Sequence, residues 1–352
     1  MTYERLAQLG WNDELAAEYE GHLEAGLKPG RVAVQHRGVW EVATEDEDVL
    51  VEITGRLRHE APPGELPVVG DWVALKEGQI EAVIPRRSKF SRKVAFEEVA
   101  EQVLAANVDV AFLVMGLDER DFSIRRLERY LTTAWEGGAN PVIVLNKADL
   151  AADLDAQLAE TEAVAFGVPV HVVRAIAGEG VDALVPYLAG PRTGVLLGSS
   201  GVGKSTLINA LLGEGRVATG EVRSDGRGRH TTSHRELLVL PEGGVLIDTP
   251  GLRELQLWET DGGLEKAFAD VTELVNQCRF SDCAHDTEPG CAIRAALDDG
   301  SLPQDRWESY VKLERELAHL ERKLDPKLRS EERKKWAAIT KSNRKRKKIL
   351  GS

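Results

Sequence analysis

Two kinds of hydrophobic patterning divide the chain. Between residues 31 and 90, short apolar-rich runs are punctuated by Gly38, Gly55, Gly64, Gly70 and Gly78. The runs are Val32-Ala33-Val34, Val39-Trp40-Glu41-Val42, Val49-Leu50-Val51-Glu52-Ile53, Trp72-Val73-Ala74-Leu75 and Ile80-Glu81-Ala82-Val83-Ile84. Five short strands in so small a span predict a closed barrel of the oligonucleotide-binding (OB) type over residues 31–92. The pattern alone does not assign the barrel a ligand, because a fold does not fix a function. From residue 93 to 262, continuous apolar runs alternate with helical periodicity. Strands are predicted at 108–115, 142–145, 170–173, 194–197, 237–240 and 245–247, and helices at 123–137, 153–166, 181–189 and 204–212. Such alternation builds a mostly parallel sheet with helices on both faces.

The flanks are patterned differently. Residues 1–30 carry weak helical periodicity, end in Lys28-Pro29-Gly30, and read as an N-terminal arm leading into the barrel. Arg86, Arg87, Lys89, Arg92 and Lys93 cluster at the start of a connector that runs through 91–106. Helices are expected at 264–278 and at 303–324, the second with Trp307, Tyr310, Leu313, Leu317, Leu320 and Leu324 on one stripe. Asp325-Pro326 stops it, closing a helical unit of residues 263–325. In the tail, 326–352, every ionisable residue from Arg333 to Lys348 is basic.

The candidate chemistry falls at the ends of the predicted strands, where ligands bind in open parallel sheets. Gly198-Ser199-Ser200-Gly201-Val202-Gly203-Lys204-Ser205 matches the phosphate loop G-x-x-x-x-G-K-[ST] between a strand and a helix, with Thr206 following. Its glycines let backbone amides wrap a triphosphate, Lys204 reaches the β- and γ-phosphates, and Ser205 is a magnesium ligand. Asp248-Thr249-Pro250-Gly251 reads as a D-x-x-G turn, with Asp248 toward magnesium and the Gly251 amide toward the γ-phosphate. Asn146-Lys147-Ala148-Asp149 reads as N-K-x-D. A carboxylate at Asp149 accepts from guanine N1–H and the 2-amino group, whereas adenine would leave it unpaired. The order is the unusual feature. An ordinary GTPase runs phosphate loop, D-x-x-G, N-K-x-D; here the guanine motif comes first, so the P-loop GTPase domain, 93–262, reads as circularly permuted.

Two positions depart from the common pattern. Leu252 follows the D-x-x-G glycine where a water-orienting Gln is frequent, which predicts slow intrinsic hydrolysis. The loop that usually supplies Ser-Ala to the base reads Arg174-Ala175-Ile176, leaving the Ala175 backbone contact. Residues 214–235 make a Gly- and Arg-rich, strand-poor loop containing Arg229-His230-Thr231-Thr232. Either Thr231 or Thr232 could close on magnesium, and His230 is the nearest candidate to position water as a catalytic group beside Lys204.

All three cysteines lie in Cys278-x₄-Cys283-x-His285-x₅-Cys291. Three thiolates and an imidazole complete a tetrahedral set with no open position, so the pattern predicts one structural zinc. The ligands span too short a segment for a core of its own, and metal would supply folding energy.

Composition narrows the classes. A net charge of −13 argues against non-specific nucleic-acid binding by the whole protein, yet Glu45-Asp46-Glu47-Asp48 and the basic tail show strong asymmetry, as of a basic arm for a polyanion on an acidic body. No run of eighteen apolar residues predicts a membrane span, and Met1-Thr2-Tyr3-Glu4-Arg5 lacks a secretion pattern, so a cytoplasmic protein is expected.

Together, the permuted motif order, the preceding barrel and the Cys-Cys-His-Cys finger resemble the ribosome small-subunit-dependent GTPase A family, RsgA, also YjeQ. The resemblance implies an OB-type barrel, a circularly permuted GTPase domain and a C-terminal helical zinc-finger domain. It implies a monomeric GTP hydrolase of late small-subunit maturation, binding ribosomal RNA through barrel, finger and tail, and stimulated by the docked subunit. The family's switch-loop histidine implicated in hydrolysis matches His230. The alternative is a zinc-containing, GTP-gated sensor or chaperone with no ribosomal role; a small-molecule kinase fits the guanine motif poorly.

Overall fold

The computed structural model describes residues 3–62, 65–93, 101–213, 215, 235–248 and 262–324. The chain opens with α1 (Glu4–Gln8) and α2 (Asp13–Glu24). The barrel follows: β1 (Lys28–Gln35), β2 (Trp40–Ala43), β3 (Asp48–Ile53), α3 (Gly55–Glu60), β4 (Trp72–Lys76) and β5 (Gln79–Val83). Its strands are ordered β1-β2-β3-β5-β4, with β4 returning to β1 and β3 parallel to β5, so the barrel is closed. Inward positions alternate with outward ones, and Val32, Trp40, Val42, Val51, Ile53, Val73, Leu75 and Ile80 fill the interior.

Residues 1–30 do more than lead into this barrel. Leu6, Leu9, Trp11, Leu15 and Tyr19 are buried in the same apolar core as the central sheet, and residues 28–30 already belong to β1. The helical signal is weak because Gly10, at φ +105°, breaks the segment into two short helices whose buried positions share no single 3.6-residue register. The connector also differs from expectation. β6 (Lys89–Lys93) and β7 (Glu101–Ala106) form an antiparallel ribbon with Phe90 buried beneath it. A bulge between Phe90 and Ser91, both buried, breaks the alternation that would have marked β6 in the sequence.

The nucleotide domain contains β8 (Val110–Gly116), α4 (Ile124–Glu136), β9 (Asn140–Asn146), α5 (Leu154–Glu162), β10 (Val170–Val172), α6 (Val185–Leu188), β11 (Thr193–Leu197), α7 (Lys204–Leu212), β12 (Arg235–Val239) and β13 (Val245–Asp248). Strand order is β10-β9-β8-β11-β13-β12; the first five are parallel and β12 is antiparallel. Every residue of β8 is buried, as expected of a strand covered on both faces. β12 then pairs with the end of β1 at Val34–Glu236 and Gln35–Arg235, which joins barrel and sheet through backbone hydrogen bonds.

Arg31 fastens the same junction. It is 1% exposed and projects from β1 to donate to the carbonyls of Leu9, Gly70 (3.2 Å) and Asn107 (3.2 Å) and to Thr193 Oγ1 (2.8 Å) at the start of β11. Burial pushes its pKa down to about 10, against the opposing pull of Asp109 and Asp71. A guanidinium at that value stays charged at neutral pH, and its donors are taken up by groups from four segments.

The C-terminal unit is helical: α8 (Gly263–Ala267), α9 (Ala269–Asn276), α10 (Ala292–Asp299) and α11 (Gln304–Leu324). It docks on α4. Phe268, Val271, Ile293, Leu313 and Leu317 extend the core that also holds Leu127, Tyr130 and Leu131. Arg306, 5% exposed, binds Glu128 at 2.8 Å, Asp270 at 2.8 and 3.2 Å and the Ala267 carbonyl at 2.8 Å. Arg129 makes a bidentate pair with Glu316 at 2.8 and 3.0 Å nearby. Sequence order suggests a unit hanging from the D-x-x-G turn; packing places its mechanical attachment on α4. Among the described residues no helix is long and apolar enough to cross a membrane.

Candidate nucleotide site and metal cluster

The parallel strands deliver the motifs to one edge. Asn146 ends β9, Asp248 ends β13, Gly198 follows β11, and Arg174-Ala175 lie just beyond β10. The permutation therefore changes chain order and leaves spatial order intact.

Asn146 is the brace between loops. It is 3% exposed; its Nδ2 donates to the Val202 carbonyl at 2.8 Å and its Oδ1 accepts from Ala175 N at 3.0 Å. One side-chain amide thus ties the guanine motif to the phosphate loop and to the Ala175 loop, using its donor and its acceptor at once. Gly203 is required for this. A Cβ there would run into Asn146 Nδ2, and its φ of +97° disfavours any side chain.

The phosphate loop passes into α7 at Lys204. The Lys204 ammonium reaches back to the carbonyls of Gly198 (2.7 Å) and Ser199 (2.6 Å), so the loop curls around its own lysine. Ser200 and Gly201 lie in the same loop, and Ser205 and Thr206 in the first turn of α7. Tyr130 of α4 approaches the loop from outside, with its hydroxyl 3.4 Å from Ser199 Oγ.

Lys147 and Asp149 flank Ala148 in a tight turn. Lys147 adopts φ 63°, and Ala148–Leu150 form a short 3₁₀ turn. Lys147 Nζ is held at 2.7 Å by Asp118 and at 2.9 Å by Asp121. Burial alone would lower the lysine's pKa, but the two carboxylates outweigh it and hold it above the usual value. Burial would raise Asp118, but the Lys147 ammonium and the backbone N–H groups of Asp121 and Arg120 outweigh it and hold the carboxyl below its ordinary value. Gly116 makes room: a Cβ there would press on Asp121 Cβ at 2.8 Å. Sequence reading missed Asp118 and Asp121. The available signal was their place in Gly116-Leu117-Asp118-Glu119-Arg120-Asp121, directly after a buried strand, where ligand-binding residues collect.

Gly251, His230, Thr231, Thr232, Leu252 and the basic tail lie outside the described residues. Asp248 is half-buried at the end of β13.

The second cluster gathers Cys278, Cys283, His285 and Cys291, whose ligand atoms all lie within 4.8 Å of one another. His285 Nδ1 is 3.6 Å from Cys278 Sγ and 3.5 Å from Cys291 Sγ. Tetrahedral zinc with Zn–S of about 2.3 Å and Zn–N of about 2.0 Å requires S···N edges of roughly 3.5 Å. The donor set and its spacing fit that ion. The cluster is not left to the metal alone, as the short ligand span suggests. Cys291 is buried in the shared core, and His285 packs edge-on to Trp307 of α11 at 5.5 Å.

The RsgA GTPase family model matches residues 83–258. The chain is 47% identical to a "Small ribosomal subunit biogenesis GTPase RsgA" from Opitutus terrae, over 98% of this chain and 99% of that one. It is 50% identical to an RsgA 1 of the same description from Oceanobacillus iheyensis, over 93% and 95%. Among solved structures, that of YjeQ from Thermotoga maritima aligns with a TM-score of 0.63 at 29% identity, covering 83% of this chain and 99% of that one. YloQ, described as a circularly permuted GTPase, aligns with a TM-score of 0.58 at 25% identity, covering 83% and 96%.

Proposed function

Since the chain belongs to the RsgA GTPase family, we propose that it hydrolyses GTP in the cytoplasm during late maturation of the small ribosomal subunit, binding ribosomal RNA and firing when docked. The observation that carries this reading is the convergence of Asn146, Asp149, Ala175, the Gly198–Ser205 loop and Asp248 on one sheet edge, in a chain whose near full-length relatives are described as small ribosomal subunit biogenesis GTPases.

Magnesium would be held by Ser205 and Asp248, with Thr231 or Thr232 joining from the switch loop. When bound it neutralises phosphate charge. The chain's own residues do the rest. Lys204 and the α7 amides bind the phosphates, Asp149 selects guanine, and Asn146 keeps both halves of the site in register. Leu252 cannot orient water, so His230 is assigned that task. The finger holds a single structural zinc on Cys278, Cys283, His285 and Cys291. The protein acts as a monomer whose barrel, finger and Arg333–Lys348 tail meet RNA.

The test is multiple-turnover GTP hydrolysis with and without purified small subunits at two salt concentrations. Stimulation that weakens with salt is expected, because the tail contributes phosphate contacts. A catalytic group supplied by a partner in related phosphoryl transfer is worth roughly 10³–10⁵ in rate. Absence of stimulation at any ratio would remove the ribosomal assignment. Stimulation undiminished in His230→Ala would remove that histidine's role only.

A further inference from the structure

The geometry points to Arg174 as a positioning residue for guanine selection, acting through Asp149. This rests on the nucleotide reading above and goes further, because the position that usually carries a neutral serine here carries a cation.

Arg174 Nε lies 3.6 Å from Asp149 Oδ1, and Arg174 Nη1 lies 3.5 Å from Glu179 Oε1. The backbone pre-places the pair. Ala148 N donates to the Val173 carbonyl at 3.3 Å, stitching the Asp149 turn to the strand end before Arg174. Arg174 N donates to the Glu179 carbonyl at 2.9 Å, and Glu179 N returns a bond to the Arg174 carbonyl at 3.3 Å, closing a small bridge that carries both side chains. Ala175 N, next in the chain, is fixed by Asn146. Arg174 is thus held from both neighbours.

The charges alternate along this edge. Asp118 and Asp121 hold Lys147; two residues on, Asp149 faces Arg174, which is backed by Glu179. Arg174 Nε is buried and makes no hydrogen bond, standing a few tenths of an ångström beyond reach of Asp149. A buried unsatisfied donor is costly, and closing onto the carboxylate removes that cost. Once closed, the guanidinium holds Asp149 Oδ1 from the side and fixes the direction in which the carboxylate's remaining lone pairs point. Guanine's N1–H and 2-amino group use those lone pairs, so the cation adds to the 2-amino contact without touching the base.

The test is equilibrium titration of the full-length protein with GDP, IDP and XDP, since IDP lacks the 2-amino group. Asp149 and Arg174 are both about 40% exposed, so the effect is that of a partly screened pair, roughly two- to fivefold. Arg174→Gln is expected to weaken GDP by that factor and IDP, which keeps only the N1–H bond to Asp149, by less, so the GDP-to-IDP ratio falls. Arg174→Lys restores part of the ratio. In an Asp149→Asn background, which should bind XDP, adding Arg174→Gln is expected to change XDP affinity by less than about twofold, because the carboxylate is gone. A GDP-to-IDP ratio unchanged in Arg174→Gln overturns the inference while the nucleotide reading stands. So does an equal loss for both nucleotides, which would mark Arg174 as loop support. Wild-type protein that binds neither GDP nor GTP overturns the nucleotide reading itself.

Discussion

Removing Arg306 should loosen the C-terminal unit from the nucleotide domain far more than removing any exposed ion pair. Arg306 and Glu128 have side chains only 5% and 2% exposed, and they meet at 2.8 Å. Arg306 also holds Asp270 and the Ala267 carbonyl, and its guanidinium lies 4.1 Å from the centroid of the Phe268 ring. Two unit charges about 4 Å apart attract by about 4 kcal/mol at the effective dielectric of a partly buried pair, a gross figure that desolvation largely offsets. The single truncation is the informative one. Arg306→Met strands the Glu128 carboxylate in the core, and breaking a buried pair from one side costs about 3–5 kcal/mol. Asp270, 26% exposed, can turn to water and adds less. Replacing both partners, Glu128→Met with Arg306→Met, removes the stranded charge and is expected to return within about 1 kcal/mol of wild type. Native-state hydrogen exchange of the α11 amides reads the local opening free energy, which suits a multidomain chain better than a global melt. A single variant within about 1 kcal/mol of wild type would refute the reasoning. So would a double variant no more stable than Arg306→Met.

Asp149→Asn is expected to move nucleotide preference from guanine to xanthine by at least an order of magnitude, read from XDP and GDP affinities, because Asn can donate where xanthine presents an oxygen. Purified protein should carry close to one equivalent of zinc; Cys283→Ser should lose it and expose 278–291 to exchange, while GDP affinity and the α11 core persist, since Phe268, Leu313 and Leu317 pack without the metal. Asp118→Asn should cost about 1 kcal/mol, the upper end for a partly exposed ion pair, read from hydrogen exchange of the amides around Lys147. Asp118 is depressed by Lys147, so its contribution is complete above the unfolded carboxylate value of about 3.9 and is lost as pH falls through its lower folded value. Lys147 is raised, so its share is complete below about 10.4 and is lost only as pH rises through its higher folded value. The gap between wild type and Asp118→Asn is therefore flat from about pH 5 to 9 and closes in acid; a gap that changes between pH 5 and 8 would contradict the assignment.

The chain's local patterns determined its elements and much of its chemistry. Strand runs from Val32 to Ile84 fold as the barrel, the alternation from 108 to 247 folds as a mostly parallel sheet, and Asn146, Gly198 and Asp248 sit at strand ends, because periodicity and turn residues act over a few neighbours. The Cys-Cys-His-Cys spacing was legible for the same reason: its ligands lie within one short segment. Tertiary structure alone decided the pairings that cross the chain. Lys147 meets Asp118 and Asp121 across 29 and 26 residues, Arg31 meets Thr193 across 162, and Arg306 meets Glu128 across 178. Local sequence marks at most the place and never the partner: an Asp after a strand signals a ligand edge without saying what it meets, and a lone Arg in a helix is ordinarily solvated. Burial makes them specific, because once water is excluded each charge must find its counterpart or the fold bears the cost. The same logic buried Leu6, Trp11 and Tyr19 beneath the sheet, where a broken helical period had promised only an arm.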